Sequence, residues 1–310
     1  MWLNDCEQRL APRTVHTYRW VCGLQEMEPI RRSILRDVRP PAVASIVSDV
    51  AENRGRRTGL AAHRTLSAMF GVAERWDYIA HSPCRRLKAP AVPKREPNVP
   101  TPTTFNEALA AASEELATLL RFAVTAGCRR GEVAGLRWGD IDWDRAIVTI
   151  RRSIDSTPGQ LAPKATKTNS SRAIPLDPET LSALRSHRER QRGGSNLNAW
   201  VWSRDHDGVA PIRPDRITSL WASLREDVPD LRGVRFQDLR HATATWLIAE
   251  GVDARTVADR LGHSDVRLTL NTYTTPPLAS DRSAADTIAA VLGRSATPAS
   301  RRRTKPRAPS

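Results

Sequence analysis

Five prolines fall between Lys88 and Pro102, in the run KAPAVPKREPNVPTP, and neither a helix nor a central strand can pass through such a stretch. Each proline lacks a backbone N–H and fixes its own φ, and each turns the preceding residue away from helical geometry. The run is therefore predicted to be a stiff, extended linker that cuts the chain in two. A length of 310 residues gives both parts room for a core. Residues 1–90 form the first part, 91–102 the linker and 103–293 the second part. Residues 294–310, rich in Ala, Pro, Ser and Arg, are expected to be a disordered basic tail.

The first part reads as helices. Val15, Tyr18, Val21 and Cys22 recur at helical spacing in a segment from Pro12 to Met27. A second helix is predicted from Pro41 to Asn53, with Val43, Ile46, Val47 and Val50 on one face. A third runs from Thr58 to Ile79, carries Leu60, Leu66, Met69, Phe70, Val72 and Trp76, and is closed by Ser82-Pro83 and a short turn through Leu87. The polar faces of this bundle are rich in arginine. The second part mixes element types. Thr103 is expected to cap a helix, and Glu114–Ala126 to form another. Strand-like runs follow at Ala146–Ile150, Leu161–Thr166 and Arg172–Pro175, then a helix at Asp177–Arg192, a short strand at Trp200-Val201-Trp202, and mainly helices to Leu292. Helices, a small sheet, then helices again give an α+β class.

Charge narrows the choice of partner. The chain holds 48 Lys and Arg against 34 Asp and Glu, a net +14. That surplus lies in the first 95 residues and in the tail, while the body between them is neutral. Two basic regions around a neutral body point to a polyanion, and nucleic acid is the first to consider. No stretch approaches the roughly 20 apolar residues of a membrane span, and the N-terminus lacks the pattern of a signal peptide. A cytoplasmic protein with no membrane partner is expected. Cys6, Cys22, Cys84 and Cys128 are scattered, and neither they nor the histidines have metal-ligand spacing. They read as reduced thiols, and neither a metal nor a cofactor is expected.

Four motifs carry candidate chemistry. TAGCRRGEVAGLRWGDID, from Thr125 to Asp142, opens with a glycine turn and a helix start bearing Arg129, Arg130 and Glu132. FQDLRHATATWLIAEGVD, from Phe236 to Asp253, reads as an amphipathic helix with Arg240 in its first turns. Arginine presents a planar fork of donors that matches phosphate oxygens and stays charged at any working pH. KATKTNSSRAIPL, from Lys164 to Leu176, sets Lys164 and Lys167 in a polar hairpin before a strand. LGHSDVRLTLNTY, from Leu261 to Tyr273, places His263 at a tight turn and, ten residues on, the sole tyrosine after residue 78. Taken singly, each has a plainer explanation: a surface salt bridge, a solvated lysine, a core tyrosine with a satisfied hydroxyl.

Taken in order and spacing, the four boxes resemble the tyrosine recombinase (phage integrase) family, over most of the chain from Pro12 to Leu292. The family's G-x-R-x-x-E box is similar to Gly127–Glu132, its T-K-T…S…R-x-I-P-L hairpin to Thr166–Leu176, its H-x-L-R-H box to Gln237–His241, and its L-G-H-x9-Y box to Leu261–Tyr273. The resemblance implies a mainly helical catalytic domain with a small antiparallel sheet, preceded by a small all-α (SAM-like) core-binding domain. It implies that Tyr273 attacks a DNA phosphate to give a 3′-phosphotyrosine and a free 5′-hydroxyl. Arg129 and Arg240 would clamp the non-bridging oxygens, Lys167 would protonate the leaving oxygen (with Lys164 ranked below it), and His263 would donate to the phosphate. Glu132 would support the site without reacting. The implied partners are double-stranded DNA at attachment or core sites, three further copies in a homotetramer, and accessory directionality or DNA-bending factors.

Gln237 departs from the pattern, since the family has histidine there. An amide can still donate to phosphate, but it cannot take up and release a proton near neutral pH. Larger members also place an arm-site-binding domain ahead of the core-binding region, and Met1 stands almost at the start of that region. A simple two-domain recombinase and a truncated longer integrase both fit. Two other readings stay open: a catalytically impaired integrase remnant that only binds DNA, and a type IB topoisomerase, which shares the chemistry. The segment after Tyr273 is expected to contain a helix with Ala284, Ala285, Ile288, Val291 and Leu292, which fits docking on a neighbouring copy or packing on its own domain.

Overall fold

A computed structural model describes residues 1–155, 157, 163–165 and 171–262, and divides the chain into two compact units, Met1–Thr243 and Ala244–Ser310. The chain is α+β, mostly helical with a small antiparallel sheet. The first unit starts with α1 (Trp2–Arg9), α2 (Pro12–Cys22), the short α3 (Glu28–Arg32), α4 (Pro40–Arg54) and α5 (Arg56–Arg75). The apolar positions of α2, α4 and α5 and of the turn after α2 converge on one core: Val21, Leu24, Met27, Val43, Ile46, Val50, Leu66 and Phe70 are all buried.

Two of these helices end earlier than their periodicity predicts. α2 stops at Cys22 rather than Met27, because Gly23 closes it and Leu24 turns extended with ψ 146°. That change of direction is what brings Leu24 and Met27 into the core. α5 stops at Arg75 rather than Ile79, in a Schellman motif: Tyr78 N–H donates to Ala73 O and Asp77 N–H to Glu74 O, with Asp77 at φ 58°. Asp is among the few residues other than glycine that visit this left-handed geometry readily.

Residues 88–101 hold no helix or strand, as the prolines require, but they do not stand free. Arg95 Nη2 donates to Gly233 O at 2.6 Å, and Asn98 Nδ2 to Arg232 O at 3.3 Å. Beyond them come α6 (Pro102–Ala111) and α7 (Glu114–Thr125). The cap of α6 is Thr101 rather than Thr103: its Oγ1 accepts from Thr104 N–H at 3.1 Å, with proline in the first helical position behind it. Then follow α8 (Arg130–Ala134), β1 (Ile141–Asp142), β2 (Ile147–Ile150), β3 (Arg152–Ile154), β4 (Pro163–Ala165), β5 (Arg172–Pro175), α9 (Pro178–Arg190) and α10 (Pro214–Asp227).

The strands pair antiparallel as β1-β2-β5 and as a β3-β4 hairpin, with Ile150 opposite Arg172 and Ser153 opposite Lys164. Trp200-Val201-Trp202 is not a strand. Only isolated bridges flank it, Arg137 with Trp200 and Ser203 with Pro211, and Pro211 has no N–H with which to extend a ladder. α11 (Phe236–Ala249) ends in another Schellman motif at Gly251, and α12 (Ala254–Leu261) follows. In the second unit Ala244, Val257 and Leu261 form a small buried cluster. The described residues contain no helix long and apolar enough to cross a membrane.

Candidate functional site

The site is built on a glycine. After α7 the chain reverses through Gly127 at φ 58°, where Cys128 N–H reaches back to Ala123 O and Gly127 N–H to Val124 O. A side chain at Gly127 would be strained in this left-handed turn. The turn delivers Arg129, extended at φ −72° and ψ 150°, to the N-terminal end of α8. Three residues on, Glu132 folds back: Oε2 accepts Arg129 N–H at 3.0 Å and Oε1 accepts Arg129 Nη1 at 2.8 Å. The Glu132 side chain is only 3% exposed, whereas that of Arg129 is 43% exposed. A second arginine completes the arrangement, with Arg172 Nη2 donating to Glu132 Oε2 at 2.6 Å from β5. Burial pushes the Glu132 carboxyl up, but the bond and charge of Arg172, helped by Arg129, outweigh it and hold the group below its usual range. The neighbouring Cys128 thiol is pushed up to about 12 by burial and cannot act as a thiolate near neutral pH.

α8 lies against β3 with almost no clearance. A Cβ on Gly131 would sit 2.5 Å from Ser153 Oγ and 2.6 Å from Ile154 O. The serine can rotate away, but the carbonyl cannot. Gly131→Ala is therefore expected to push α8 off the hairpin, at a cost of about 1–3 kcal/mol. Urea unfolding measures that loss. A variant as stable as its parent would show that the hairpin yields without strain.

Arg240 approaches the same cluster from α11. Its Nη1 donates to Gly127 O at 2.6 Å, and Thr243 Oγ1 donates to Val124 O at 2.7 Å, so α11 is fastened to the turn that positions Arg129. Arg240 is 4% exposed, and its Nη2 has no hydrogen-bond partner among the described residues. Burial, then the nearby Arg129 charge, lower its pKa to about 10. It stays a cation at neutral pH, but one held in a place that disfavours cations. A buried arginine with a donor unused among the described residues, and two other arginines around it, is an arrangement suited to an anion.

A groove of about 1460 Å³ opens over this cluster. One wall is the arginine-bearing faces of α2 and α5, with Arg13, Thr17, Arg57 and Arg64; Lys94 and Arg95 come from the linker, and Arg129, Glu132 and Gln237 from the opposite side. Gln237 is exposed at the start of α11. Across the groove, Arg13 pairs with Asp155 at 3.3 Å. Arg130 also lines it but is held by Thr218 Oγ1 at 2.7 Å and Asp215 at 3.3 Å, which separates it in role from Arg129.

Of the residues singled out from sequence, Arg129 and Arg240 converge on Glu132 and the Gly127 turn, and Gln237 faces the same groove. Lys167, His263 and Tyr273 lie outside the described residues, as do the segment after Tyr273 and the tail. Arg172 and the linker residues Lys94 and Arg95 were not foreseen. A signal for Arg172 existed: β5 alternates, so Arg172 shares a face with the buried Ile174, and an arginine on a core face requires a carboxylate.

Residues 101–277 match the model of the phage integrase family. The chain is 26% identical over 247 residues to the tyrosine recombinase XerC-like protein of Caldanaerobacter subterraneus subsp. tengcongensis, covering 72% of this chain and 63% of that one. Against tyrosine recombinase XerD of Neisseria meningitidis serogroup B it is 26% identical over 288 residues, covering 87% and 88%. In fold it is similar to the Tn1549 transposon integrase in complex with transposon right end DNA, with a TM-score of 0.74 at 17% identity, over 92% of this chain and 97% of that one.

Proposed function

The chain belongs to the phage integrase family, and from that premise we propose that it is a site-specific DNA recombinase that integrates or excises a mobile element. Tyr273 attacks the scissile phosphorus through its hydroxyl oxygen, the phosphorus–O5′ bond breaks, and a 3′-phosphotyrosine forms. The tyrosine gives up its proton, and the departing 5′-oxygen takes one from Lys167. Arg129 and Arg240 hold the two non-bridging oxygens and offset the charge that grows on them in the transition state. His263 adds a further donor. The energy of the broken bond is kept in the tyrosine linkage, so rejoining to a new 5′-hydroxyl needs no ATP. One observation supports this reading: the buried Nη2 of Arg240, which has no partner among the described residues, belongs to a cation close to Arg129, and Arg129 lines a basic groove. A phosphodiester supplies the missing acceptor.

Residues 1–90 would then form the core-binding domain and 103–293 the catalytic domain. They would close on duplex DNA from the two sides of the groove, and Lys94 and Arg95 would bring the linker against the backbone. Strand exchange between two sites requires four such chains, hence a tetramer on DNA. The test is covalent trapping on nicked duplexes made from the DNA that flanks the gene. The expected result is a denaturant-resistant adduct, lost in Tyr273→Phe. Tight, salt-sensitive binding with no adduct on any site would favour an integrase remnant that only binds DNA.

Gln237 is read as a phosphate donor at the groove wall. Gln237→His is expected to leave the cleavage rate within about threefold of the parent, because the amide already supplies the hydrogen bond and two arginines supply the charge. A gain of a hundredfold or more in single-turnover cleavage would show instead that a titratable base is missing there.

A further inference from the structure

Arg172 has no part in the chemistry above, yet it is 11% exposed and tied to the most buried carboxylate of the site. β5 fixes its place through the register with β2, in which it lies opposite Ile150. Its Nη2 takes Glu132 Oε2, the oxygen that also accepts Arg129 N–H, and this leaves Oε1 for Arg129 Nη1. A carboxylate beside a single arginine closes a two-bonded fork and spends that arginine's charge locally. Here the carboxylate is shared. Arg129 is tied by one end, and the rest of its guanidinium is left to the groove, where it lines the wall.

Resting on the recombinase reading, we infer that Arg172 is a positioning residue for the phosphate clamp. Acting through Glu132, it keeps Arg129 from folding fully onto that carboxylate and holds its free edge toward the scissile phosphate. The sharing also settles charge: one acid between two arginines leaves a surplus positive charge at the site, which a dianionic transition state requires. Arg172 itself touches no substrate. Its neighbour in sequence, the segment with Lys167, offers a different route by which it could act, and the two routes have different chemical signatures.

The test uses the full chain and nicked duplexes on which the parent forms the tyrosine adduct. R172K keeps the charge but loses the fork, and R172Q loses both. Cleavage is expected to fall about tenfold and about a hundredfold respectively, with DNA affinity close to the parent's in both and the melting temperature close to it in R172K. R172K carries the test alone if R172Q does not fold. Two modified substrates then separate the routes. A methylphosphonate at the scissile position is neutral and needs less of the clamp, so the parent-to-variant ratio should shrink toward one. A 5′-bridging phosphorothiolate has a leaving group that needs no proton, so the ratio on it should stay as on the natural phosphate. A ratio that collapses on the phosphorothiolate would overturn the inference in favour of the lysine hairpin. Equal ratios on all three substrates, together with a lowered melting temperature, would reduce Arg172 to a structural ion pair, and unchanged cleavage would remove it from the mechanism. If the parent forms no adduct on any site, the recombinase reading itself fails and this one with it.

Discussion

Arg240→Met is expected to lower the rate of DNA cleavage by about 10³- to 10⁵-fold while leaving the fold at least nearly as stable. The loss follows from what the side chain offers. In the proposed role, a guanidinium already held in place by burial needs no reorganisation when charge develops, and single preorganised donors or arginines of this kind are worth about 10²- to 10⁵-fold in rate. The stability side runs the other way from intuition. Arg240 makes one good bond, from Nη1 to Gly127 O at 2.6 Å, and leaves Nη2 unpartnered among the described residues. Its cation is opposed by burial and by Arg129. Methionine fills a similar volume and removes that penalty, at the cost of one unpaired carbonyl worth about 1–3 kcal/mol. These contributions nearly cancel, so the unfolding free energy should move by no more than about 1–2 kcal/mol. Sulfate or a short duplex should raise the melting temperature of the parent through linkage and do so far less in the variant. Unfolding and single-turnover cleavage measured on the same preparation decide the matter. A variant that loses several kcal/mol would show that Arg240 holds the fold together rather than waiting for an anion.

The parts of this architecture that were legible in the sequence are those set by local physics. The prolines from Lys88 to Pro102 forbid regular structure, and residues 88–101 have none. Val43, Ile46, Val47 and Val50 share a helical face, and all four are buried. Ends of elements were less legible. Periodicity carries α5 on to Ile79, but the backbone turns left-handed at Asp77, a choice made by two carbonyl bonds rather than by any apolar pattern. Trp200-Val201-Trp202 has strand-forming residues but no neighbouring strand long enough to pair with, and pairing is a property of the fold. In the site, arginine boxes drew attention to Arg129 and Arg240 because phosphate chemistry needs forks of donors. Arg172 escaped because its partner, Glu132, lies forty residues earlier, and only the β2–β5 register brings the two together. The linker was read as spacer for the same reason: the docking of Arg95 and Asn98 against Gly233 and Arg232 depends on a turn far along the chain.

Glu132→Gln should be among the most destabilising single changes in the chain at neutral pH, costing about 3–5 kcal/mol, and its cost should fade in acid. One carboxylate stands between Arg129, Arg172 and the buried Arg240, and removing its charge takes from these three cations the counter-charge they share among the described residues. An amide keeps the shape and one acceptor, so the loss reports charge rather than packing. The sign of the pH effect follows from the direction of the Glu132 shift. Burial alone would raise its pKa, but the arginines bring it below the usual value. A group depressed in the folded state stabilises the fold fully above its unfolded pKa, roughly 4.3, and loses that contribution as pH falls through the folded value. Parent and variant should therefore differ most near pH 7 and converge as pH falls through the lowered folded value, where the parent's carboxylate is itself protonated. Urea unfolding at a series of pH values from 7 downward reads this directly. A gap that persists unchanged into acid would mean that the glutamine is misplaced sterically. No gap at neutral pH would mean that Arg129 and Arg172 swing out to solvent and need no acid between them. In the expected case the same buried carboxylate that secures the fold also decides how much positive charge is left over for DNA, so stability and cleavage would be set by one residue.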